Sequence, residues 1–280
     1  MGLDNTNQRV AEGIRTVISE LMESVMNKVL VTDPFIPEEH HAKKPLYAAL
    51  VPDEIFKGSH FERRFVTPFG SAWERLAQVV AIARFDESIL QATVEGNILD
   101  GRLKRIQEVL NLEDHAVKGQ TKRKANWARD LSYVLQGSGN PIPVTVVCDL
   151  LVRDNNTGNA YAFELKAPLP NSDQTKVSKE KMLKLMAMEE SPITQAFFAL
   201  VYNPYGRRQD YAWSFPKKWF DIAEDKSLMI GDEFWDFLGG DGTYERFISE
   251  INKLGMDYKE RIYRDYLHIE PVGNAFDVKL

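Results

Sequence analysis

Val144-Thr-Val-Val-Cys-Asp149-Leu-Leu-Val-Arg153, then Asp154-Asn-Asn-Thr-Gly-Asn159, then Ala160-Tyr-Ala-Phe-Glu164-Leu-Lys166 is the stretch that decides how this chain folds. Two β-rich runs flank a segment of turn formers, the signature of an antiparallel hairpin. The turn centres between Asn156 and Thr157, and a symmetric register about that point sets Asp149 opposite Glu164. Side chains alternate along a strand, so Lys166 shares a face with Glu164. The hairpin is therefore expected to gather two carboxylates and one lysine, unless a bulge shifts the register.

Two facing carboxylates repel, and burying them unpaired is costly. A hard divalent cation resolves the conflict. Mg²⁺ favours one or two carboxylates completed by waters and phosphate oxygens. A lysine beside it can contact the scissile phosphate or help deprotonate a water. Such a group suits hydrolysis of a phosphodiester. The competing reading is an exposed edge hairpin with a solvated charged face.

The rest of the chain limits the alternatives. Its 280 residues suffice for one large domain or two small ones. No apolar stretch approaches the ~20 residues of a membrane span. The polar start Met1-Gly-Leu-Asp-Asn-Thr-Asn lacks a signal-peptide core, and the single cysteine excludes an internal disulfide framework. A cytoplasmic protein with no membrane partner is expected, with Cys148 a buried small hydrophobe. The five histidines (His40, His41, His60, His115, His268) show no metal-ligand spacing.

A net charge of −6 leaves nucleic-acid binding to local clusters. One basic segment runs from Arg102 to Arg129 and holds Lys104, Arg105, Lys118, Lys122, Arg123 and Lys124. A second runs from Lys166 to Lys184 and holds Lys176, Lys179 and Lys181. Asn171, Gln174, Lys176 and Lys179 follow the hairpin closely and are candidate DNA contacts. Arg207 and Arg208 are candidates for reading guanine edges.

The first 140 residues read mainly as helices. Val10 to Leu30 has apolar residues at Ile14, Val17, Ile18, Leu21, Val25 and Val29. Thr32-Asp-Pro-Phe-Ile-Pro37 ends that helix, and His40 to Pro45 reads as a loop. Ser71 is expected to cap a core helix over about 71–95, with Glu74 at capping-box spacing. Helices near Leu103–Leu112 and Gln120–Leu135 precede a break at Gly137-Ser-Gly-Asn-Pro141. Beyond the hairpin, Val177 to Glu190 reads as a helix and Ile193 to Tyr202 as a strand buried on both faces. Gly239-Gly-Asp-Gly242 lacks the ending of a phosphate loop and reads as a turn, with Thr243 capping the next helix. The division expected is a helical part at 1–140 and a core with the hairpin and a helical tail at 141–280, within which one integrated domain is also compatible.

Asp149 with Glu164-Leu165-Lys166 resembles the active site of the PD-(D/E)XK nuclease superfamily, although Cys148 stands where the motif's name has proline. Ala162 to Met182, Phe234-Trp-Asp-Phe-Leu-Gly-Gly-Asp-Gly-Thr-Tyr244 and, less distinctively, Phe61 to Arg75 resemble type II restriction endonucleases of the TdeIII family. The resemblance implies an α/β (α+β) restriction-endonuclease-like core with a helical N-terminal part. It implies a Mg²⁺-dependent enzyme that cuts double-stranded DNA at a short palindrome, weakly of GGNCC type, with a cognate methyltransferase. A palindrome implies a homodimer. Asp149, Glu164 and the Leu165 carbonyl would hold the metal, Glu74 would complete its shell, and Lys166 would position or activate the water. The alternatives are a structure-directed repair or recombination nuclease of the same fold and a non-catalytic DNA-binding protein.

Overall fold

A computed structural model describes residues 2–114 and 123–270, with side chains from residue 6 onward. The chain divides into two compact units. One comprises residues 1–76 and 246–279, and the other is centred on residues 77–245. This differs from a division at residue 140, because the boundaries fall inside two long helices.

The larger unit is built on a five-stranded sheet in the order β1-β2-β3-β4-β5. The strands are β1 (Glu87–Leu99), β2 (Pro141–Asp154), β3 (Asn159–Lys166), β4 (Gln195–Leu200) and β5 (Leu228–Ile230). β1, β2 and β3 run antiparallel, whereas β3, β4 and β5 run parallel. A parallel step needs a crossover, and the helix α7 (Ser172–Ala187) supplies it between β3 and β4. α7 packs with α5 (Asp100–Asp114) and α6 (Trp127–Leu135) on one face, where Ile106, Val109, Leu110, Val134, Met182 and Leu185 join Cys148, Ala162 and Phe198 in one buried cluster. On the other face, α9 (Asp232–Gly239) brings Phe234 and Phe237 against Phe163, with ring centroids 5.6 and 5.9 Å apart. This is the mixed α/β core expected from the sequence.

The hairpin turn follows from its residues. The Asp154 carboxylate accepts hydrogen bonds from the backbone N–H of Asn156 and Thr157 and from the Thr157 hydroxyl. Gly158 takes φ +72°, where a side chain is strained, and donates its N–H to the Asp154 carbonyl. The register is the symmetric one: Asp154 pairs with Asn159, and the ladder runs back to Leu150 against Phe163.

The smaller unit is helical. α1 (Gly2–Asn27) buries Ile14, Val17, Ile18, Leu21 and Val25, and Val29 follows in a short π-helical turn. α2 (Pro37–Lys43) and α3 (Pro45–Ala48) come next, so residues 40–43 are helical, not loop. Prolines at both helix starts explain this, since the first turn loses no bond to proline.

The core helix expected at 71–95 is a correction. α4 spans Asp53–Ala81, and residues 87–99 form β1. Ser71 is interior to α4 and donates its hydroxyl to the Pro68 carbonyl, so it is no N-cap. Glu74 accordingly sits inside a helix and not at its start. β1 pairs along β2 because Ala92, Val94 and Ile98 alternate inward at strand period. Gly96 faces Met188, whose sulfur would lie 2.9 Å from a Cβ there. The helix expected from Gln120 begins at Trp127; residues 120–122, with Lys118, Lys122 and His115, lie outside the described residues.

A buried charge cluster ties α7 to its neighbours. The Lys179 ammonium, fully buried, donates to both Glu113 oxygens at 2.9 and 2.7 Å, to Asp130 at 2.9 Å and to the Trp219 carbonyl at 2.8 Å. Arg123 adds a bond to Asp130 at 2.8 Å. Burial, the largest influence, pushes the Glu113 carboxyl upward against the pull of Lys179. Removing one partner strands the others without water. Lys179→Met is expected to cost about 3–5 kcal/mol in denaturant-induced unfolding; a loss under ~1 kcal/mol would show that the cluster is dispensable.

Candidate active site

Asp149 lies where the β2–β3 ladder stops. Leu150 against Phe163 is its last rung, and the strand ends part beyond it. The inward set on β2 is even-numbered at Val146 and Cys148 but odd-numbered at Leu151, so the pleat is broken at Asp149–Leu150. On the neighbouring strand, Gln91 takes φ +48° and drops out of the β1–β2 pairing opposite Asp149. Such irregularities re-aim a side chain. Here Asp149 Oδ2 reaches across the gap and accepts the Leu165 N–H at 2.8 Å. The carboxylate takes the place of a backbone carbonyl, which holds the splayed ends together.

The three hairpin candidates converge. Lys166 Nζ donates to Asp149 Oδ2 at 2.9 Å and to the Leu165 carbonyl at 2.9 Å, and it lies 3.6 Å from Glu164 Oε2. Glu164 is 2 % exposed. Its Oε2 accepts from the Ser178 hydroxyl at 3.0 Å and its Oε1 from Lys181 Nζ at 2.7 Å. Burial above all, then the charge of Asp149, raises the Glu164 carboxyl, while Lys166 and Lys181 pull it down. The two carboxylates and two ammonium groups balance in formal charge.

Ser178 and Lys181 were not among the expected site residues. They sit one turn apart on α7 and interrupt its apolar inward stripe of Met182 and Leu185, which was their signal in the sequence. Lys181 was read only as part of a basic segment.

The candidate DNA contacts fare differently. Lys179 is corrected, since a fully buried ammonium held by Glu113 and Asp130 cannot meet a phosphate. Arg208 is corrected too: its guanidinium bonds the carbonyls of Ile222, Asp225 and Leu228 and the Glu233 carboxylate. Asn171 and Gln174 form the capping box that starts α7 five residues earlier than expected. Lys176 is paired with Asp114 at 2.8 Å. Arg207 is exposed, with Asp210 beside it at 2.7 Å. In the first basic segment, Arg102 and Arg105 bond backbone carbonyls of Ala187 and Tyr133. Glu74 belongs to the helical unit and is half-buried.

The donor set fits a hard cation. Carboxylate oxygens of Asp149 and Glu164 and the Leu165 carbonyl are hard oxygen ligands, and no third carboxylate, histidine or cysteine joins them among the described residues. Two carboxylates and a carbonyl match a hard cation such as Mg²⁺ better than zinc.

A family model described as "Type II restriction endonuclease, HinfI" matches residues 10–255. The chain belongs to this family. It is therefore a type II restriction endonuclease, as its resemblances implied; the match specifies HinfI and does not specify TdeIII. Among curated proteins it is similar to the type II restriction enzyme HgiEI of Herpetosiphon aurantiacus, 25% identical across 87% of this chain and 89% of that one. It is 26% identical to HgiCII of the same organism, across 80% and 82% of the two chains. Members of this class act on double-stranded DNA.

Cys148, beside Asp149, is fully buried and its thiol is pushed up to about 12, chiefly by burial. Iodoacetamide at pH 8 is expected to leave the folded enzyme unmodified by mass spectrometry and to alkylate it once unfolded; rapid native alkylation would contradict this burial.

Proposed function

We propose that this enzyme hydrolyses DNA phosphodiesters with Mg²⁺ held by Asp149, Glu164 and the Leu165 carbonyl. The observation that carries the proposal is the convergence of Asp149, Glu164 and Lys166 at the splayed end of the β2–β3 hairpin. Bound there, Mg²⁺ would supply Lewis acidity and a lowered water pKa. Asp149 holds the strand ends and presents Oδ1, which takes no protein hydrogen bond among the described residues. Lys166, partly exposed, orients the attacking water and steadies the negative charge that develops on it as its proton leaves to solvent. Glu74, expected to complete the metal shell, is left out of the proposed site, because no third carboxylate joins Asp149 and Glu164 among the described residues.

Arg207, exposed beside Asp210, is a proposed DNA contact, with Asn171, Gln174 and Lys176 near the start of α7 as others. The target is proposed to be a short palindrome of GGNCC type, protected by a cognate methyltransferase in the cytoplasm. No described helix is long and apolar enough to cross a membrane.

Cutting both strands of a palindrome calls for a two-fold dimer. α2 and α3 support one, because neither contains a buried residue, and Leu46 and Leu50 are 79 % and 82 % exposed. α2 begins with Glu38 and Glu39 and ends with Lys43, so an antiparallel second copy meets it with opposite charge. A Leu46→Asp/Leu50→Asp variant is expected to sediment as a monomer where the parent is a dimer; an unchanged dimer would place the interface elsewhere.

Purified enzyme incubated with phage-length duplex DNA and Mg²⁺ is expected to yield discrete fragments whose sequenced ends share one site, and none in EDTA. Asp149→Ala and Lys166→Ala should each cut at least about 10²-fold more slowly. A smear would favour a structure-directed nuclease. Cutting by Lys166→Ala at the parent rate would remove Lys166 from the mechanism.

A further inference from the structure

We propose that Lys181 is a displaceable counter-ion of the metal site: its ammonium occupies Glu164 before the metal arrives and is released toward the substrate phosphate when it does. This inference rests on the metal-site reading above. Its basis is a competition at Glu164, each of whose oxygens already accepts a hydrogen bond. Oε2 accepts from Ser178, with Lys166 at 3.6 Å, and Oε1 accepts from Lys181 at 2.7 Å. A cation bound to this carboxylate competes with these donors for its lone pairs, and a positively charged donor is repelled by it as well.

Ser178 is 1 % exposed, so its hydroxyl cannot turn to solvent, and as a neutral donor it is not repelled by a cation. Lys166 is anchored twice more, at Asp149 and at the Leu165 carbonyl. Lys181 differs from both. Among the described residues its ammonium has the single partner Glu164, its side chain is 31 % exposed, and four methylenes let it swing. It is the donor that leaves at least cost.

Charge favours the same order of events. Without metal, two carboxylates and two ammonium groups cancel. A divalent cation makes the site net positive, repels the nearby ammonium and attracts a phosphodiester anion. Lys181, freed but tethered to α7 beside Glu164, then offers its charge to a non-bridging phosphate oxygen. α7 itself stays put, because the adjacent Lys179 is locked into Glu113 and Asp130. Lys181 is thus a positioning residue for Glu164 in the free enzyme and a phosphate contact in the complex.

The test is Mn²⁺ binding to the full-length enzyme without DNA, read as free Mn²⁺ by electron paramagnetic resonance, alongside DNA cleavage. Lys181→Met keeps the aliphatic bulk and removes the competing charge, and Lys181→Gln does so with a polar end. Both are expected to bind Mn²⁺ at least about three-fold more tightly while cutting DNA at least about ten-fold more slowly. Lys181→Arg should keep parental Mn²⁺ affinity. A lysine that merely props Glu164 predicts the opposite sign: weaker Mn²⁺ binding in both neutral variants. Unchanged or weaker binding overturns the proposal, as does unchanged cleavage. Asp149→Ala separates the two levels of the account. Parental Mn²⁺ binding that survives in Asp149→Ala contradicts the metal-site reading itself, whereas its loss there leaves the Lys181 result to stand alone.

Discussion

Everything at the proposed catalytic centre depends on one hydrogen bond, from the Leu165 N–H to the Asp149 carboxylate. A regular hairpin would satisfy that N–H with a backbone carbonyl and would leave two acidic side chains stacked on a flat face. Here the ladder ends three residues before β3 does, and the side chain substitutes for the missing partner. A buried N–H must be paired somewhere, so the substitution is what permits the strands to part. Without a partner on β2, the Leu165 carbonyl accepts from Lys166 instead.

The same economy governs α7. Neighbouring residues on a helix point about 100° apart, and this helix uses the angle to face two environments. Ser178 and Lys181 turn toward the sheet and meet Glu164, while Lys179 turns into the gap between α5, α6 and α8 (Ser214–Trp219). The first pair serves a carboxylate that sees solvent nearby. The second is buried, with Lys179, Glu113 and Asp130 fully enclosed and bonded to one another. The buried lysine fixes the helix, and the partly exposed lysine is left able to move.

Much of this was legible in the sequence. The hairpin, its symmetric register and the gathering of Asp149, Glu164 and Lys166 followed from alternation and turn chemistry, which are local. The buried stripe of α1 and the doubly buried β4 followed from periodicity. What was not legible needed tertiary partners. Glu87–Leu99 continues without a proline or a strong turn from α4, and its strand pairing is decided by β2, more than forty residues away. Lys179 and Lys181, two residues apart, look alike as surface charges; only Glu113 and Asp130 decide that the first is interior. Arg208 likewise reads as a free cation until three distant carbonyls are folded around it. Asn171 and Gln174 resembled phosphate contacts because the residues that cap a helix are those that also bind anions at its start.

The most direct test of the central claim is anomalous diffraction from crystals of the enzyme soaked in Mn²⁺. The account predicts a single strong peak within coordination distance of Asp149, Glu164 and the Leu165 carbonyl, with Lys181 turned away from Glu164. Crystals that hold Mn²⁺ elsewhere, with Lys181 still bonded to Glu164 at ion concentrations that support cleavage, would contradict it.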